Sequence, residues 1–94
     1  MRQKLNLNQI NEQLIDLPGW SFTNDTLHKD LTFDSYLDGI NFVKQLADKA
    51  EKHNHHPDLT VGWCKVGVTF TTHDSGGITA NDITMAKEVE RLLG

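Results

Sequence analysis

The chain holds a single cysteine, Cys64, which excludes an intramolecular disulfide and by itself supports neither a thiolate metal site nor a redox pair. No apolar run approaches the roughly 20 residues that a membrane-spanning helix needs. The N-terminal stretch Met1-Arg2-Gln3-Lys4-Leu5-Asn6-Leu7-Asn8 starts basic and continues polar, without the apolar centre of a secretory signal. A cytoplasmic location is therefore expected. Blocks of one charge are also missing. The net charge of −4 and the pI near 5.6 come from interspersed acids and bases, which argues against a direct nucleic-acid partner or an anionic membrane. A small neutral or partly cationic ligand fits better.

What remains is ordinary for a soluble globular protein. Ninety-four residues, 37% hydrophobic and 23% charged, are expected to form one domain over residues 1–94. A chain of this length buries only about 60–65% of the surface it exposes when unfolded, so assembly into a homo-oligomer is expected to help stabilise it.

Leu7, Ile10, Leu14, Ile15 and Leu17 fall near helical spacing between an Asn6 or Asn8 cap and the breaker pair Pro18-Gly19. Trp20 and Phe22, then Leu27, Leu31 and Phe33, alternate with polar residues on either side of Asn24-Asp25, which predicts a hairpin. Asp34 is placed to cap a long helix in which Tyr36, Ile40, Val43, Ala47 and Ala50 recur, with Leu37, Phe42 and Leu46 widening the stripe. That helix must end before Pro57, because proline disfavours the α region for His56. A second strand pair follows, Leu59 to Trp63 and Lys65 to Thr72, with Val66, Val68 and Phe70 on one face and Gly67, Thr69, Thr71 and His73 on the other. Thr79 with Asp82 three residues later forms a capping-box pattern opening a last helix striped by Ile83, Ala86, Val89, Leu92 and Leu93. The order α-β-β-α-β-β-α implies an α+β fold, with a four-stranded antiparallel sheet and three helices packed on one face.

The chemistry-bearing residues gather in Glu51-Lys52-His53-Asn54-His55-His56-Pro57, which holds three of the five histidines, with His73 downstream. Histidine has an unperturbed pKa of about 6.5, so a cluster points to proton transfer or to metal ligation. Zinc wants three or four ligands, and helical pairs that bind it lie three or four residues apart; adjacent His55 and His56 sit about 100° apart on a helix. His53 and His56 have a better spacing, but their helix is ending there. The plainer alternative makes these histidines solvated helix-end residues favoured by the terminal dipole. His73, before the Gly76-Gly77 loop, speaks for a site, since scaffolds hold functional residues on such loops. The two glycines supply turn geometry or bare amides for a ligand acceptor. Asp82 either stabilises the first turn of its helix or accepts hydrogen bonds from a ligand. Trp20 and Trp63 suit a core or an interface, and either could stack on a flat heterocycle.

Glu51, His55-His56-Pro57-Asp58, Lys65-Val66, Thr71-Thr72-His73-Asp74, Gly76-Gly77-Ile78-Thr79 and Asp82 together resemble the pterin-4a-carbinolamine dehydratase family. Leu17-Pro18-Gly19-Trp20 and Phe33 extend the likeness over nearly the whole chain; His73 follows His56 by 17 residues and Asp82 follows His73 by 9. One stretch departs: Gly62-Trp63-Cys64 stands where the family tends to show an aromatic followed by asparagine. The resemblance implies the same element order, dimers or tetramers, and dehydration of a 4a-hydroxytetrahydropterin to the quinonoid dihydropterin. That reaction recycles the cofactor of aromatic amino-acid hydroxylases, one of which is then an expected partner, and needs no metal and no organic cofactor. His55, His56 and His73 are the implied catalytic residues, and Asp82, Glu51, Gly76 and Gly77 the implied substrate-binding set. Two other roles stand beside this one: a non-enzymatic dimerisation partner of a transcription regulator, and a histidine metal-binding module. Protein purified without a histidine tag is expected to carry far less than one zinc ion per chain by elemental analysis; stoichiometric zinc would establish the metal role instead.

Overall fold

The computed structural model describes residues 3–94; Met1 and Arg2, where the basic start of the chain falls, lie outside it. Its elements run in order as α1 (Leu7–Leu14), β1 (Ser21–Thr23), β2 (Thr26–Thr32), α2 (Tyr36–His53), β3 (Asp58–Gly62), β4 (Lys65–Phe70), a single 3-10 turn (His73–Ser75) and α3 (Ala80–Leu93). The strands form one antiparallel sheet in the order β1-β2-β4-β3. This is the expected α-β-β-α-β-β-α arrangement. Strand β4 sets the core: Val66, Val68 and Phe70 alternate inward and are fully buried, together with Leu27 and Leu31 from β2. Helices α2 and α3 cover that face with Phe42, Leu46, Ala50, Ile83, Met85, Ala86 and Val89. None of the described helices is long and apolar enough to cross a membrane.

Several details differ from the sequence pattern. The cap of α2 is Ser35, whose hydroxyl accepts from the Asp38 amide at 3.1 Å, and not Asp34. Its buried stripe is Gly39, Phe42, Leu46 and Ala50, while Tyr36 and Ala47 face solvent. Gly39 lies on the buried side against Phe33 and Val66, where a Cβ would sit 3.4 Å from each, an ordinary contact distance. Helix α1 stops at Leu14, with Ile15 outside the core, and Leu17 packs from the turn that follows. Asn6 closes a full capping box with Gln9.

The first hairpin turns through Asn24 and Asp25, both with positive φ (52° and 61°), the twist that a two-residue connection between right-twisted strands requires. The second turns through Trp63 and Cys64, and Cys64 also adopts a left-handed backbone at φ 60°. Glycine and asparagine reach this region far more easily than cysteine, for which it costs on the order of 1 kcal/mol. Replacing Cys64 by Gly or Asn is expected to raise the urea midpoint, corresponding to about 0.5–1 kcal/mol of added stability.

Candidate active site

The site begins with the way α2 ends. Asn54 takes the left-handed conformation (φ 51°, ψ 41°), its amide reaches Glu51 O, and the His55 amide reaches back to Ala50 O at 3.1 Å. This is a Schellman ending, which turns the chain sharply and throws the next residue against the helix's own last turn. His55 is consequently driven inward: it is 8% exposed and stacks over Phe70, with ring centroids 6.3 Å apart. His56, one residue on, faces outward and pairs with Glu51 across the final turn of α2. Pro57 then leads the chain into β3.

His55 meets Asp82. The carboxylate is wholly buried at the third residue of α3, where the capping box with Thr79 brings it. His55 Nε2 lies 2.5 Å from Asp82 Oδ1; Oδ2 accepts from the Thr72 hydroxyl at 2.7 Å and from the Thr79 amide at 2.8 Å. Taking this carboxylate out of water is tolerable only because each oxygen has a donor. Asp82 therefore stands behind His55 and not on the surface of the site.

Strand β4 gives way after Phe70, and Thr72 forms an isolated bridge to Gly77. Between them His73 opens the 3-10 turn, exposed, where the sequence pattern had placed it at a strand end. Gly76 closes the turn with positive φ (72°) and its amide donates to His73 O; the Gly77 amide donates to Thr72 O. Both amides are engaged within the turn.

His55, His56, Thr71, Thr72, His73 and Asp74 line a shallow cleft of about 260 Å³. The three histidines singled out from the sequence thus meet, with Glu51 beside His56. Thr71, Thr72 and Asp74 were not assigned roles beforehand. For Thr72 a signal existed: it continues the inward series Val66, Val68, Phe70, so a polar residue was due at a buried position. His53 points elsewhere, 3.9 Å from Glu88, and His28 bonds Thr69 and Asp30 on the outer face of the sheet. Trp20 is in the core with its indole N–H on Glu90, and Trp63 is 81% exposed at the hairpin tip. Among the described residues no group of three or more His, Cys, Asp or Glu side chains is disposed to hold a metal ion.

Fold and cleft together define a small α+β domain with a buried histidine–carboxylate pair flanked by two exposed histidines. The sequence profile described as Pterin 4 alpha carbinolamine dehydratase matches residues 3–92, and the chain belongs to that family. A Thermosynechococcus vestitus protein, provisionally named a pterin-4-alpha-carbinolamine dehydratase, is 46% identical over 98% of this chain and 97% of its own. A Mycobacteroides abscessus protein with the same provisional name is 42% identical over 92% of each chain. The crystal structure of a transcriptional coactivator/pterin dehydratase from Brucella melitensis superposes with a TM-score of 0.95, at 31% identity, covering 98% of this chain and 100% of that one. A pterin dehydratase-like protein described as a RuBisCO assembly factor in the alpha-carboxysome shares the fold, with TM-score 0.67 at 24% identity over 80% of this chain.

The burial difference between the two histidine–carboxylate pairs has a measurable consequence. Asp82→Ala would leave three buried donors without an acceptor and is expected to lower stability by about 3 kcal/mol. Glu51→Ala breaks a solvent-exposed pair and is expected to cost less than about 1 kcal/mol. Urea denaturation of the two variants checks both.

Proposed function

We propose that this protein dehydrates a 4a-hydroxytetrahydropterin. The N5–H proton is taken, the N5 electron pair closes the N5=C4a bond, and the C4a hydroxyl leaves as water, giving the quinonoid dihydropterin. The observation that carries this reading is His55 held on a buried carboxylate at the wall of a cleft that His56 and His73 also line. The reaction asks for one group to take a proton and another to give one, and each such group is worth roughly 10²–10⁴-fold. With Asp82 accepting from Nε2–H, His55 keeps the Nδ1 lone pair for accepting the N5 proton, and its orientation is fixed. His73, exposed on its turn, is the donor to the leaving hydroxyl, and the pair exchange roles in the reverse reaction. His56, braced by Glu51, positions the pterin. In the cell the activity would recycle the cofactor of aromatic amino-acid hydroxylases. Strand β3 is an unpaired sheet edge, and Val61 and Trp63 on its hairpin are exposed, which supports a homo-oligomeric assembly.

Freshly generated 4a-hydroxytetrahydropterin, followed by ultraviolet absorbance, is expected to decay faster with the wild-type protein. His55→Ala and His73→Ala should each lose about 10²-fold or more of that acceleration. Full rate in both variants would sink the assignment, and no acceleration by folded wild-type protein would sink the dehydratase reading itself. The name of the Brucella protein favours a second role, as partner to a transcription regulator. Capture of a regulator that is unchanged in His55→Ala would separate that role from catalysis.

A further inference from the structure

Thr72 touches both halves of the site. Its main chain holds the His73 turn: the Thr72 amide donates to Gly77 O at 2.9 Å, and Thr72 O accepts from the Ser75 amide at 3.0 Å. Its side chain holds Asp82, donating to Oδ2 at 2.7 Å. A hydroxyl carries one hydrogen, and this one is committed to the carboxylate. At the 2.9 Å contact with Thr79, the Thr72 oxygen must therefore accept and the Thr79 hydroxyl donate. The Thr79 oxygen accepts in turn from the Asn81 amide at 3.3 Å. Every hydrogen in this chain points the same way, towards Asp82, and each bond polarises the next.

We infer that Thr72 is a positioning residue for the dehydration, an inference that rests on the reading of the cleft given above. It acts through Asp82 on His55 and through the main chain on His73, and it touches no substrate. With Oδ2 held by Thr72 and by the Thr79 amide, the carboxylate cannot turn, and Oδ1 alone is presented to His55 Nε2. Without the hydroxyl, one donor remains on Oδ2 and the Thr79 hydroxyl loses its acceptor. The carboxylate is then held on Oδ2 by the Thr79 amide alone, so it is less restrained about χ2 and orients the imidazole less tightly.

Thr72→Val keeps the β-branched shape that suits the bridge to Gly77, and Thr72→Ser keeps the hydroxyl. In Thr72→Val, kcat for the dehydration is expected to fall about 10-fold with KM little changed, the low end of the cost of removing an outer hydrogen-bond partner from a metal-ligating histidine, the nearest analogue of a histidine oriented from behind. Thr72→Ser should restore most of kcat. A second readout does not need activity: the ¹⁵N ring signals of His55 in the folded protein, which report which nitrogen bears hydrogen and how strongly it is bonded. They are expected to shift in Thr72→Val and return in Thr72→Ser. Unchanged ring signals in folded Thr72→Val would overturn the inference, as would an equal loss of kcat in both variants. If wild-type protein fails to accelerate the dehydration, the functional reading falls, and the ring signals alone then decide whether Thr72 sets the Asp82–His55 geometry.

Discussion

The site depends on one carboxylate removed from water. Asp82 has no exposed surface, and an unpaired charge in that position would cost several kcal/mol. Three donors from three parts of the chain make the position tolerable: the His55 ring, the Thr72 hydroxyl and the Thr79 amide. Each arrives by a different local device. His55 comes from a left-handed helix ending at Asn54, Thr72 from the inward phase of β4, and the Thr79 amide from the capping box that starts α3. The same carboxylate is thus the end of a helix cap, the anchor of a strand terminus and the partner of a site histidine.

Much of this was legible in the residues. Alternation in β4 gave the core face, and Asn24-Asp25 gave a turn in which both residues take positive φ. Thr79 and Asp82 announced their box by spacing alone. Less legible was the face of α2. Phe42, Leu46 and Ala50 are buried and Val43 packs against them in part, but Tyr36, Leu37 and Ala47 of the same apolar stripe face solvent, and a hydrophobic count cannot separate them. Gly39, which also lies on the buried side, adds nothing to such a count, and which face turns inward is set by packing on the sheet.

Within the site, adjacency hid the division of labour. His55 and His56 are neighbours of the same type, yet one is buried on Phe70 and Asp82 and the other is paired with Glu51 in the open. Only the backbone reversal at Asn54 separates them, and asparagine there reads from sequence as one more polar helix-end residue. Family likeness named the histidines and Asp82 together, but it could not show that Asp82 lies behind the cleft. That depends on the register of α3 against β4.

The Asp82 pair to His55 spans 27 residues of chain, and its contact with Thr72 spans 10. No shorter piece of the polypeptide contains the arrangement. A partial opening that lifts α3 would leave the three histidines on their own elements while taking away the group that orients His55. The geometry of this cleft is therefore tied to the docking of the last helix, and the dehydration proposed for it would need the completed tertiary structure.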